Sequence, residues 1–284
     1  MKQMIRYGSY PTVFGLSAMA VILAVHHTGT AWPWFAIIAG LALWCIAHLE
    51  RVQPYQKQWL QNHGDLFADI LYAVSSLGLL SLTAWALNFM RLDLVSLWPD
   101  RLPIWLQIVL AGAVIDFGLY FMHRMSHRFD WLWRLHAVHH SAERLYWLNG
   151  ERRHPLSAVL LASPGIITVV ALGAPPLIIS AWLTLLTVHL AFQHANLDYS
   201  LGPFRKLLGV AEIHRWHHKR DYEDAQVNFG EFWMLWDQLF GSFHDQKNGV
   251  KAGDIGLKAS DFPPNFLKQL AWPFRRHKKV HNYY

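Results

Sequence analysis

Three short histidine runs carry the chemistry this chain could do: HRMSH with His123 and His127, HAVHH with His136, His139 and His140, and HRWHH with His214, His217 and His218. Residues four apart share one face of a helix, so His123 and His127 project together in the manner of a chelate. The two HxxHH boxes add i+3 spacing and an adjacent pair, so each can serve two ions. Eight neutral imidazoles suit divalent first-row metals. If the metal is iron, positions left open for dioxygen allow redox chemistry; copper suits imidazole as well.

Coincidence explains the pattern poorly. With 18 histidines in 284 residues, one HxxHH is expected roughly 0.07 times by chance, and there are two. The plainer reading, solvated histidines at a membrane–water boundary, fits His26, His27, His48, His63, His277 and His281. A zinc hydrolase is disfavoured because HExxH is absent and no box contains a glutamate to act as base. The single cysteine, Cys45, permits neither a disulfide framework nor a cysteine metal site.

The elements that must position these boxes are membrane spans. Apolar residues make up 53% of the chain, charged residues only 15%, and mean hydropathy is +0.15. Runs at about Pro11–Val25, Ala31–Leu49, Leu66–Phe89, Ile104–Met122, Leu156–Leu172 and Leu177–Phe192 approach or reach the ~20 residues that cross a bilayer as helix. The expected fold is therefore an all-α integral membrane protein with about six transmembrane or membrane-embedded helices. The last two runs, joined by Gly173-Ala174-Pro175-Pro176, read as a hairpin. Met1–Arg6 precedes no small-residue cleavage site, so the first run reads as a retained span.

Of the 25 Lys and Arg, only Arg91 and Arg101 fall on one side of this topology. The positive-inside rule then makes the other side cytoplasmic. All three boxes lie on that side, although no histidine was used to place the spans. A non-catalytic metal-binding or transport protein that passes ions across the membrane would instead spread its histidines through the depth of the spans. The net charge of +6 suits anionic lipid headgroups rather than nucleic acid, because the basic residues lie between and after the apolar runs. The Arg275–Lys279 tail suits an interface. The chain divides into N-terminal helices (1–103), a histidine-rich region (104–245) and an interfacial basic tail (246–284).

Other side chains are candidates for support. Asp116, Tyr120 and His123 share a face of the fourth span, placing a carboxylate in an apolar region that demands a polar partner. Asp116 either orients a ligand imidazole or makes a polar contact between helices. Trp236 and Asp237 are candidates for similar work from the cytoplasmic side. His189, five residues before His194 and about 140° around an ideal helix, reads as packed or supporting.

The ordered segments DFGLYFMHRMSH, WRLHAVHHS, NGERRHP, FQHANLD, EIHRWHH and NFGEFWMLWDQLFGSF, from Asp116 to Phe243, resemble the fatty acid hydroxylase and sterol desaturase superfamily of integral membrane di-iron oxygenases. The resemblance implies a lipid oxygenase with two iron ions held by His123, His127, His136, His139, His140, His214, His217 and His218. It adds His194 of FQHAN as a further ligand, which the hairpin returns to the same membrane face. Asn149, His154 and Asn228 also match family positions. Three residues between the first-box histidines resemble the hydroxylating and sterol-oxidising branch, which favours hydroxylation over desaturation; oxidative ether cleavage at the same site stays an alternative. No haem-binding HPGG segment or cysteine cluster is present, so electrons must come from a separate reductase with a ferredoxin or cytochrome-type carrier. The implied location is a multi-pass membrane protein with a cytoplasmic active site, in the inner membrane if the source is bacterial.

Overall fold

The computed structural model describes residues 1–89, 97–246, 249–258 and 262–275. Arg91 and most of the basic tail, with His277 and His281, lie outside them. Among the described residues there are ten α-helices and no strand, only isolated bridges such as Pro54 with Leu197.

Among the described residues, five helices are long and apolar enough to cross a membrane: α1 (Lys2–Thr28), α2 (Trp34–Val52), α3 (Leu66–Phe89, of which Leu66–Thr83 is the qualifying stretch), α4 (Ile104–Arg128) and α7 (Pro176–His194). The sixth run forms α6 (Pro155–Ala171), shorter than the others. α1 begins nine residues before the apolar run it was expected to follow. It continues through Pro11 and stops at Gly29, whose φ of 62° ends the helix in the left-handed region. α4 likewise runs past its apolar run to carry the whole first box on helix.

α7 is the centre of the bundle: 78% of its apolar window is buried, against 22% for α2, and it packs against α1, α2 and α4. Lipid tails offer no hydrophobic drive for helices to associate, so close backbone approach must supply the attraction. Glycines allow it between α4 and α6. A Cβ on Gly165 would lie 2.6 Å from the Ile115 Cα, and one on Gly118 would lie 2.6 Å from the Gly165 backbone nitrogen.

Beyond the spans, short helices gather on one side. α5 (Asp130–His140) turns back directly after α4 at Phe129, α8 (Ala211–His217) follows α7, and α9 (Leu235–Phe240) and α10 (Phe266–Ala271) complete the layer. A 3-10 turn at Trp147–Glu151 packs on the end of α7. Asp69 of α3 pins that region, accepting from Arg152 Nη1 (2.6 Å), Tyr146 Oη (2.7 Å) and Asn149 Nδ2 (3.0 Å).

Candidate metal centre

Four elements bring nine buried histidines together as two adjacent groups. His123 and His127 come from α4, His136, His139 and His140 from α5, His194 from the last position of α7, and His214, His217 and His218 from α8 and its C-cap. One group holds His123, His127, His136, His140 and His217; the other holds His139, His194, His214 and His218. Within each, the ligand-type atoms all lie within 4.8 Å of one another. Each HxxHH box is split between the groups: the second box gives His136 and His140 to one and His139 to the other, and the third gives His217 to one and His214 and His218 to the other. The groups touch, with ring centroids of His140 and His218 4.7 Å apart.

The donor set fits metal ions on its own chemistry. The Nδ1 of His123 lies 2.8 Å from the Phe229 carbonyl, that of His194 2.9 Å from the Leu190 carbonyl, and that of His217 2.9 Å from the Val227 carbonyl. A carbonyl only accepts, so each Nδ1 carries the proton and each Nε2 presents a lone pair to the group. The Nε2 atoms of His123, His127 and His217 are buried without a hydrogen-bond partner. In the second group, Nε2 of His194 stands 3.2 Å from that of His139 and 3.1 Å from that of His214, which is 3.0 Å from that of His218. Such convergence of imidazole nitrogens without enough protons to link them is what a cation resolves. For His136, His139, His140, His214, His217 and His218, burial pushes the pKa well below the ordinary histidine value, which keeps them neutral and competent as ligands.

The loop 227–233 holds the first group from outside. Asp237 accepts from the backbone N–H of Phe229 (2.8 Å) and Gly230 (2.7 Å) and from the Ser242 hydroxyl (2.6 Å). Burial pushes its carboxyl up to about 6. Asp116 contacts no imidazole. It accepts from the backbone N–H of Phe232 (2.8 Å) and Trp233 (3.1 Å) and from Trp236 Nε1 (2.9 Å). Its link to the histidines therefore runs through this loop, whose Phe229 and Val227 carbonyls hold His123 and His217, rather than by direct contact. Asn228, at φ 54°, donates to the Ile213 and His244 carbonyls and accepts from His244 N–H, fixing the turn that carries Val227 and Phe229.

The remaining candidates sit further out. Tyr120 Oη is 3.1 Å from Ser242 Oγ and accepts from Arg124. Asn149 closes the 147–151 turn by accepting from Tyr146 N–H. His154 caps α6, accepting from Leu156 N–H, with Nε2 3.2 Å from the Leu270 carbonyl. His189 accepts from the Tyr10 hydroxyl at 2.7 Å and belongs to neither group. His26, His27, His48 and His63 are exposed.

Two residues reach the centre without having been singled out by sequence. Glu231 Oε1 lies 3.6 Å from His123 Nδ1, and its other oxygen pairs with Arg153 Nη2 at 3.0 Å, both side chains being buried. The available signal was one acid inside the aromatic run NFGEFWMLW and two arginines beside the helix start in NGERRHP.

The chain is also similar in sequence to known proteins. The profile of the family described as fatty acid hydroxylase matches residues 108–242. An ornithine lipid hydroxylase, OlsE, of Rhizobium tropici is 32% identical over 255 residues, covering 86% of this chain and 76% of the relative. An alkylglycerol monooxygenase of Danio rerio is 30% identical over 170 residues, 58% of this chain but 35% of the relative. A methylsterol monooxygenase of Rattus norvegicus is 26% identical over 199 residues, 68% and 64% of the two chains. No solved structure matches.

Proposed function

Because the chain belongs to the fatty acid hydroxylase family, we propose that it is a membrane lipid oxygenase that converts an unactivated C–H bond of a lipid to C–OH. The observation that carries this reading is the pair of touching imidazole groups, five and four histidines, buried at the ends of membrane-spanning helices. Two iron ions held there, with dioxygen as co-substrate and two electrons from a separate reductase and its carrier, would supply the oxidising power. One oxygen atom enters the lipid and the other leaves as water. The region 104–245 contains all nine histidines, and the N-terminal helices brace it through α7.

The chain's own residues do the rest. Carbonyls of Phe229, Val227 and Leu190 fix the tautomers of His123, His217 and His194, and burial excludes water from the imidazoles. A mostly apolar cleft of about 250 Å³ runs between α3, α4, α6 and α7. Leu119 and Leu190 line it, each one helical turn before a histidine, His123 in one group and His194 in the other. Glu151 and Arg153 line its histidine end. We assign this cleft to the hydrocarbon part of the substrate, fatty acyl or sterol-like, entering from the bilayer.

Desaturation or ether cleavage at the same centre is the alternative, the latter favoured by the similarity to alkylglycerol monooxygenase. Product analysis separates them. Membranes of a host expressing the protein under ¹⁸O₂ are expected to contain a lipid heavier by one retained ¹⁸O atom, absent with His139→Ala. An alkene product without added oxygen would overturn hydroxylation, and an aldehyde with loss of a chain would indicate ether cleavage.

A further inference from the structure

On the reverse face of α8 lies a second, polar cavity of about 540 Å³. Glu212, Arg215 and Trp216 line it, whereas His214, His217 and His218 of the same segment face the metal groups. The helix itself therefore separates the cavity from the centre, and nothing in the proposed oxygenase reaction uses it.

Arg215 is the unusual wall residue. It is 3% exposed, and no carboxylate among the described residues lies within ion-pair distance of it. Its guanidinium stacks on Tyr55, 3.7 Å from the ring centroid, and Nη2 donates to the carbonyls of Ala195 and Leu197, both at 3.0 Å. The Nε–H is buried with no partner. A guanidinium does not shed its proton, so this is a permanent buried cation with an unused donor, and such a group is costly unless an anion meets it.

The neighbouring acids Glu212 and Asp198 act on Arg215 through space but neither pairs with it directly. Glu212 accepts from Ser200 Oγ (2.9 Å) and Leu201 N–H (3.1 Å), Asp245 pairs with Arg205 (3.1 Å), and Asp198 stands 3.7 Å from Arg6. The cavity thus presents one buried cation outside any ion pair, Arg215, and one carboxylate held only by neutral donors, Glu212, with Arg6 and Arg205 already engaged by Asp198 and Asp245. Arg6 and Tyr7, in the first turns of α1, place it at the membrane boundary on the histidine side, where phosphate esters of lipids lie.

We propose that this cavity binds a phosphate group through Arg215, carried either by a lipid headgroup or by a free small molecule. Planar N–H groups of arginine match phosphate oxygens, and the volume admits more than a bare ion.

Thermal unfolding of the metal-loaded protein in detergent tests this, with inorganic phosphate and short-chain dihexanoyl phosphatidic acid as probes and sodium chloride at matched ionic strength as reference. A rise in Tm with either probe beyond the chloride reference is expected, and it is expected to vanish with Arg215→Gln. Response to phosphatidic acid at much lower concentration assigns the site to lipid; equal response assigns it to free phosphate. Because Arg215 also holds two carbonyls, Glu212→Gln provides a variant with the opposite sign. It removes a negative charge from the wall while its Oε1 still accepts, and should lower the phosphate concentration at half-response severalfold. No wild-type response beyond chloride, or a Glu212→Gln midpoint unchanged from wild type, overturns the proposal.

Discussion

At the scale of single residues, the proposed centre depends on imidazoles that stay neutral in a buried place. His139 is the sole residue of the second box in the smaller group, so His139→Ala removes one of its four donors and leaves the five-histidine group intact. Metal content is expected to fall from two ions per chain toward one, with activity lost, while the exposed His48→Ala retains both; full turnover by His139→Ala would sink the ligand assignment. Acid should act on the same residues. Burial pushes the six histidines of the second and third boxes well below their ordinary value near 6.5. Above that value both folded and unfolded chains hold them neutral, and the metal-free fold has its full stability. As pH falls below it, the unfolded chain takes up protons that the folded chain refuses, so stability drops progressively toward the folded values. Asp237, raised to about 6, works in the opposite direction: the fold binds its proton first, so the cost of keeping it ionised disappears as pH falls through that value. Six histidines outweigh Asp237 and Glu151, whose carboxyl burial also pushes up, so Tm of the metal-free protein should decline between about pH 6.5 and 5. The loaded protein should resist further, because protons must first displace the metal; identical pH profiles for the two forms would count against metal binding by these residues.

At the scale of elements, the sequence was most readable where the pattern was strongest and least so where polar residues carry structure. The runs at Leu66–Phe89 and Ile104–Met122 begin where α3 and α4 begin. The start of α1 was missed because KQMIRYGSY is too polar to register as apolar and Pro11 reads as a boundary, yet the helix passes through both. The clustering of the box histidines could be read from their spacing and side of the membrane. Their division into groups of five and four could not, since it depends on how α5 turns at Phe129 and how α8 meets α7. Glu231 escaped for the same reason: its partners His123 and Arg153 are distant in sequence. The α4–α6 crossing is likewise invisible in hydropathy, but it makes a sharp prediction. At Gly165 an added side chain meets the Ile115 backbone, which cannot rotate away, so Gly165→Leu must push apart the helices that bound the cleft. Overpacking of this kind costs roughly 1–3 kcal/mol. The expected result is a lower Tm in detergent together with weakened lipid turnover, while Gly40→Ala, whose Cβ meets nothing within 4 Å, leaves both unchanged.

At the scale of the whole molecule, the bundle has two ends of very different character. One carries both histidine groups, the turn at Trp147–Glu151, α8 and the polar cavity; the other carries the Gly29–Pro33 connection, the described residues before α4 and the Gly173–Pro175 turn. Charge follows the same division, since Arg101 is the one described Lys or Arg at the second end. A bilayer interior tolerates neither end, so the chain must cross as a multi-pass protein, and we propose from the excess of basic residues at the histidine end that this end faces the cytoplasm. The test uses a chain in which Cys45 is replaced by Ala and single cysteines are introduced at exposed sites, His63→Cys at the histidine end and Arg101→Cys at the other. In intact spheroplasts an impermeant maleimide should label Arg101→Cys and spare His63→Cys; lysis should expose both. Labelling of His63→Cys before lysis would invert the molecule, and with it the side from which electrons must arrive.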